Sequence, residues 1–238
     1  MSSSPPYTVI GTPFSTFTRT ITLALHYKNL PFSQIRVVPH SDTAYANHPF
    51  GFLPTLVIHE LDGKPVKKDI HLRESQAIAK FIDRVAPVPS LSLDLSSVDG
   101  GDESGLPVIP EQMWEFVNFA GAHGFPAVEK GVVKPRVGAT DEGKLSDAEI
   151  RQSIQSGVDH LRKFLAIVEE HMAPEGYVFG PTLTWADFFL YPLLADLLAI
   201  PEGELLSERL KIWMAKMGEL DAVKNTAAGT LGVGARPP

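Results

Sequence analysis

Two short segments of the 238-residue chain place hydroxyls and carboxylates where a ligand could be held. Ser15 stands where a β-rich run, Tyr7-Thr-Val-Ile10, gives way to a helical one. A helix start carries unpaired N–H groups and roughly +0.5 charge, so an anion is stabilised there. Ser15 is therefore either a plain N-cap, the usual role of serine at that place, or a hydroxyl donor to such an anion. Thr12, Thr16 and Thr18 crowd the same turn, and Thr16 is the first alternative donor. Glu74-Ser75 repeats the arrangement at a second strand-to-helix junction. The Ser75 N–H and hydroxyl suit a carboxylate, and Glu74 can accept from an ammonium. An acceptor beside a donor fits a zwitterionic amino-acid end; the alternative is a plain cap on Ser75. Arg73 is available to the ligand or to Glu74.

What is missing narrows the chemistry further. The chain has no Cys, which removes disulfides, thiolate zinc sites, iron–sulfur ligation and thiol–disulfide exchange by a protein thiol. The eight histidines show no mutual ligand spacing, so no metal is expected, and His59-Glu60 does not continue to H-E-x-x-H. No G-x-S-x-G, Walker A, EF-hand or dinucleotide-binding fingerprint occurs. The net charge of −7 and the absence of a basic run argue against nucleic acid as a partner. Met1-Ser-Ser-Ser-Pro-Pro6 has neither the basic nor the apolar part of a secretory signal. Trp185 to Ile200 contains Asp187 and Asp196 and reads as a buried helix, not a membrane span. A cytoplasmic protein is expected.

These residues need a scaffold, and the first half alternates strand with helix. Tyr7–Ile10, a helix over 15–28 with Phe17, Ile21, Ala24 and Leu25 on one face, and a strand over 33–38 form a βαβ unit with parallel strands. Strands at 55–59 and 66–72 flank Asp62-Gly63, a hairpin signal, and a helix over 74–85 follows. The expected class is α+β: a thioredoxin-like domain with a mixed four-stranded sheet over 1–86, then an all-helical domain over 111–238. Between them, 87–110 holds Pro87, Pro89, Pro107 and Pro110 and reads as a linker. The second half opens with a helix over 111–119, broken near 121–126, and 121–143 reads as a lid or rim. Ser146-x-x-Glu149 is a capping box ahead of the chain's best apolar stripe, Ile150, Ile154, Val158, Leu161, Leu165, Val168 and Met172. Thr184-x-x-Asp187 repeats the box, with Leu183 and Phe188 as a staple. A last helix covers 206–220, and 229–234 reads as a loose tail.

Three motifs in register carry a resemblance. Ser15-x-x-x-Arg19-x-Ile21 follows the first strand, His48-Pro-Phe-Gly-Phe-Leu-Pro54 is similar to an N-P-F-G-x-V-P segment, and Glu74-Ser75-Gln-Ala-Ile78 matches E-S-x-A-I. Together they resemble the glutathione transferase superfamily in its serine-type, theta- or phi-like branch, with a fungal-type member as the suggested kind. The motifs cover roughly residues 7–86.

The resemblance implies a glutathione co-substrate whose thiolate, held by Ser15, attacks a small hydrophobic electrophile by conjugation or by ether cleavage, in a detoxification role. Lowering a thiol from about 8.5 to about 6.5 needs about 2.7 kcal/mol. The helix dipole supplies roughly 0.3–2 kcal/mol and a hydroxyl hydrogen bond about 1.5–3 kcal/mol, so the two together suffice. Pro54 is implied to be cis, presenting the backbone of Leu53 to the cysteinyl part of the tripeptide; a trans proline at a strand start is the alternative. Glu74 and Ser75 would take the γ-glutamyl group and His40 the glycyl carboxylate. Phe14, Trp114 and Phe119 are candidates for the electrophile pocket, with Phe116, Phe125 and Trp185 behind them, each otherwise a core residue. A homodimer is implied, with Phe50 as an anchor or a loop-packing residue. The competing function is a non-catalytic, glutathione-dependent ligand carrier or a regulatory transferase-like protein.

Overall fold

The computed structural model describes residues 5–93 and 109–236. These fall into two compact units. One holds the chain up to Ser90 together with the residues from Gly218 onward; the other is Leu91–Met217.

The first unit is built on a sheet ordered β2-β1-β3-β4. Its strands are β1 (Tyr7–Ile10), β2 (Phe32–Ile35), β3 (Thr55–Leu61) and β4 (Lys64–Arg73). β1 runs parallel to β2 and antiparallel to β3, and β3 pairs antiparallel with β4. Helices α1 (Thr16–Tyr27), α2 (Asp42–Asn47) and α3 (Ser75–Val85) complete the fold. The mixed four-stranded sheet is thus the expected one. Val9, Ile21, Leu23, Leu25, Leu56, Ile58, Ile78 and Ile82 are buried and form its core. Lys28 caps this core: its Nζ donates to the carbonyls of Ala86 and Pro89 and lies 3.1 Å from Asp83.

Three details differ from expectation. β2 ends at Ile35, so Val37 and Val38 leave the sheet. The link before Pro54 contains α2, capped by Ser41, whose Oγ accepts from Ala44 N at 3.2 Å. The chain end is also not part of the helical unit. Here α10 (Asp221–Asn225) packs on α1, Leu231 is buried, and a side chain at Gly229 would meet Pro13 at 3.3 Å. The segment expected to be a loose tail is a packed part of the sheet unit.

The helical unit contains α4 (Pro110–Asn118), α5 (Lys134–Glu142), α6 (Asp147–Ser153), α7 (Gln155–His171), α8 (Trp185–Leu198) and nearly all of α9 (Glu208–Gly218). The whole apolar stripe from Ile150 to Met172 is buried, with the helix interrupted at Ile154 between α6 and α7. α8 is buried on nearly every side. The break expected after residue 119 does not occur. Phe119–Gly124 and Pro126–Val133 continue as wider helical turns into α5, which ends at Gly143 with φ +65°. Glycine in this stretch serves close packing at two places: a Cβ on Gly124 would lie 2.6 Å from the Phe164 ring, and Gly131 lies against Gly157 of α7, where a Cβ would fall 1.9 Å from the Gly131 carbonyl oxygen. The region is helical. Leu91 and Leu93, at the start of the expected linker, are buried. The rest of that linker, 94–108, lies outside the described residues.

Candidate active site

The sheet register brings the three motif segments to one end. Ile10 pairs with Thr55, and Thr55 with Arg73. Thus the turn after β1, Leu53-Pro54 before β3 and Glu74-Ser75 after β4 all emerge from the same edge of the sheet. Ile10 also pairs with Ile35, so residues 36–38 leave at that end too.

Ser15 is the N-cap of α1, with extended backbone at φ −83° and ψ 120°. Its Oγ accepts weakly from Thr18 N at 3.4 Å. The hydroxyl proton remains available for donation, because an accepted bond uses only oxygen lone pairs. The first turn of α1 carries no acidic side chain to compete for an anion. Thr16, the alternative donor, is 4% exposed, against a half-buried Ser15. The turn itself depends on Gly11: a Cβ there would lie 2.4 Å from Thr18 Oγ1.

Leu53-Pro54 is a cis peptide. Among the described residues, neither backbone polar group of Leu53 has a hydrogen-bond partner. That is the open edge an extended peptide needs.

Glu74 is the N-cap of α3, but its side chain makes no cap bond. Its φ is +66°, a left-handed conformation costing a non-glycine residue about 1 kcal/mol or more, and such outliers gather at functional sites. The conformation leaves the carboxylate in solvent, 73% exposed, and leaves the Ser75 N–H at the open start of α3. Arg73 does not reach Glu74. Its Nε donates to Asn47 O at 2.6 Å and its Nη1 to His71 O at 3.3 Å, so it ties the end of β4 to α2. The partner of Glu74 is His48, a residue not singled out from the sequence. His48 Nδ1 accepts from Phe50 N at 3.1 Å, which leaves Nε2 to carry the proton and face Glu74 Oε1 at 3.4 Å. The ring is 3% exposed. A signal was present: histidine occupies the first position of the 48–54 motif, where the related pattern has asparagine.

His40 is exposed, at φ +61°, with its N–H bonded to Gly51 O at 2.8 Å and its ring against Tyr45 and Phe52. Phe50 is 65% exposed. Phe14 lines a cavity of about 320 Å³ in the sheet unit, together with residues 12–13, 36–38 and the tail. In the helical unit Trp114 and Phe119 are half-buried, and Phe119 stacks edge-on against His171 at 5.4 Å. Phe116 and Trp185 are core residues, 2% and 0% exposed. Among the described residues no cluster of three or more His, Asp or Glu could hold a metal ion, and no helix is long and apolar enough to cross a membrane.

The helical unit holds its charges differently. Asp187, fully buried, accepts from Val178 N, Thr184 N, Thr184 Oγ1 and Trp213 Nε1 at 2.8–3.0 Å. Burial pushes its carboxyl up, against the pull of those four bonds. Glu129 is pushed up to about 8, first by burial and then by the neighbouring Asp196 carboxylate.

Residues 14–85 match the family model for a glutathione S-transferase N-terminal domain, and 150–219 match that for the C-terminal domain. Glutathione S-transferase F7 of Arabidopsis thaliana is 27% identical over 233 residues, covering 91% of this chain and 96% of the relative. Among solved structures, glutathione transferase F7 from Populus trichocarpa superposes with a TM-score of 0.67 at 24% identity, covering 93% of this chain and 97% of its own. A glutathione transferase family member from Pseudomonas fluorescens, solved with two glutathione bound, gives 0.71 at 17% identity, with 94% of each chain covered.

Proposed function

Since the chain belongs to the glutathione transferase superfamily, we propose that it binds glutathione and uses the tripeptide's thiolate to attack a small electrophile, with Ser15 as the stabilising donor. The observation that carries this reading is the shared sheet edge. It collects an open helix start at Ser15, an unpaired backbone at Leu53 and a donor–acceptor pair at Glu74-Ser75. The cysteinyl backbone pairs with Leu53. The γ-glutamyl carboxylate takes the Ser75 N–H and hydroxyl, and its ammonium takes Glu74, steadied by His48. These contacts bring the sulfur to the start of α1.

Ser15 is a hydrogen-bond donor, not a nucleophile. The bound sulfur is the reacting atom. In the attack, the carbon–sulfur bond forms as the bond to the leaving group breaks, and the thiol proton has already passed to solvent. The same step opens an ether if an alkoxide or phenoxide leaves. The test is a thermal shift with glutathione on the wild type and on Ser15→Ala, with thiolate absorbance read alongside. Binding by both proteins is expected, with a clearly weaker thiolate signal at neutral pH in Ser15→Ala. An unchanged thiolate signal in Ser15→Ala moves the role to Thr16 or to the backbone N–H groups.

A further inference from the structure

A chain of side-chain hydrogen bonds crosses all four strands of the sheet, and the transferase reading has no use for it. Asp69 of β4 faces His59 of β3, with its Oδ1 2.9 Å from Nδ1. His59 Nε2 lies 2.9 Å from Thr8 Oγ1 of β1, and Thr8 Oγ1 lies 2.8 Å from Ser33 Oγ of β2. The register allows this, because Thr8 stands between Ser33 on one side and Val57 on the other. Donor chemistry then fixes the direction of every bond. An ionised carboxylate only accepts, so the neutral His59 ring carries its proton on Nδ1 and leaves Nε2 bare. The bare nitrogen accepts from Thr8, whose single proton is then spent, so Thr8 in turn accepts from Ser33. The donors all point one way, from Ser33 through Thr8 and His59 to Asp69, and aligned bonds of this kind polarise one another.

The relay ends in the open. Thr8 is buried, whereas Ser33 is exposed. Tyr7 packs edge-on against Phe81 of α3 at 5.9 Å, so Thr8, its neighbour, faces the other side of the sheet. The relay therefore lies on the face turned from α3. His59 sits four residues, or about 13 Å, along β3 from Thr55 at the tripeptide edge. β2 is an edge strand. Ile35 O accepts from Gly11 N, so Ile35 and Ser33 turn their backbone groups toward β1, and Gln34 turns its N–H off the free edge. A backbone donor thus follows Ser33 directly, within reach of an oxyanion formed at the serine. Ile35, two residues on along the same face and 50% exposed, offers an apolar contact.

We propose that Ser33 is a second nucleophile of this protein, activated through Thr8, His59 and Asp69, and that it takes the acyl group of a small ester without glutathione. Ser33 Oγ bonds the acyl carbon as its proton moves to Thr8 and that of Thr8 moves to His59 Nε2. The Asp69 carboxylate holds the imidazolium so formed. The ester carbon–oxygen bond then breaks, and the leaving alkoxide recovers a proton along the relay. Water attacks the acyl-serine in the second half, gives up its proton by the same route, and releases the carboxylic acid with Ser33 restored. The net reaction turns ester and water into acid and alcohol. Ser33 is the group that touches substrate; Thr8 and His59 act through it.

Incubation with para-nitrophenyl acetate, in the absence of glutathione, reads this site alone. The wild type should release nitrophenolate and, after acid quenching, carry the mass of one acetyl group on the peptide that contains Ser33. Ser33→Ala should lose that label. Thr8→Val, which keeps the branched shape and removes the relay hydroxyl, should slow release on the order of a hundredfold, and so should His59→Gln. With two protons in flight, the wild-type rate should fall along a curve, not a line, as heavy water replaces water. That curvature should vanish in Thr8→Val. Ser15→Ala should leave ester cleavage unchanged, and Ser33→Ala should leave conjugation with glutathione unchanged, so the two readings fail separately. Acetyl groups confined to lysines, or a Ser33 label that forms at the wild-type rate in His59→Gln, overturns the proposal. So does a lowered melting temperature in Ser33→Ala or Thr8→Val with release unaltered, which would leave the relay a tie between strands.

Discussion

Three helix starts, one in the helical unit and two in the sheet unit, solve the same problem in two opposite ways. At α8, Thr184 and Asp187 close a capping box, and the Asp187 carboxylate also takes Val178 N and Trp213 Nε1. That end is closed by the protein itself: the Trp185 N–H donates to the Leu91 carbonyl at 2.9 Å and the Thr184 N–H to Asp187 at 2.9 Å. At α3, the cap residue Glu74 makes no side-chain bond to its helix, and at α1 the Ser15 Oγ makes one long contact. The donors there stay open, at the edge where Leu53 also lacks a backbone partner. A closed cap stabilises the fold, and an open one keeps its donors for a ligand. The helical unit places its polar groups in the first class and the sheet unit places its site residues in the second.

The largest effect should come from breaking the closed cap. Asp187→Ala strands several buried donors, each worth about 1–3 kcal/mol, so a loss on the order of 3–5 kcal/mol in stability is expected from denaturant titration. Breaking the open cap should do the reverse. Ser15→Ala should cost about 1 kcal/mol of stability or less, yet lower kcat/KM by roughly 10²–10³-fold. If the two variants lose stability equally, the distinction between the caps fails. Gly11→Ala probes the turn that sets Ser15; crowding Thr18, which is short, buried and β-branched, should cost about 1–3 kcal/mol in thermal unfolding.

A pH series sharpens the contrast from the other side. Glu129 titrates near 8 in the folded chain, above the usual 4.5 for glutamate. Folding then favours its protonated form, so the stability it supports is complete below its ordinary pKa and is lost as pH rises toward 8. Melting temperature should fall over that window, and Glu129→Gln should flatten the fall. A wild-type curve that rises from pH 5 to 8 would contradict the assignment. The smallest effect is expected at His48→Ala. Freeing the Glu74 carboxylate should raise KM for glutathione by roughly threefold to tenfold with kcat nearly unchanged.

What the sequence disclosed depended on periodicity and on local caps. The stripe from Ile150 to Met172 was legible because each apolar residue answers to one helical face, and the Ser146 and Thr184 boxes were legible because a cap is a four-residue event. α2 was not, since its six residues bury only Ala44 and show no period. The packed chain end was missed because its partners, α1 and Pro13, lie some two hundred residues away. At the site, Ser15, Leu53, Pro54, Glu74 and Ser75 emerge at one sheet edge, but their motifs said nothing of His48 against Glu74 or of Arg73 bonding the Asn47 carbonyl. Such pairings arise only when the chain folds back.

Titrating the thiol of bound glutathione by its absorbance, in the wild type and in Ser15→Ala, addresses the central claim most directly. The wild type should ionise the thiol about two units below the roughly 8.5 of a free thiol, and the alanine variant should return about half of that shift or more. A bound thiol that titrates like the free one in the wild type, or equally low in both proteins, would contradict the account.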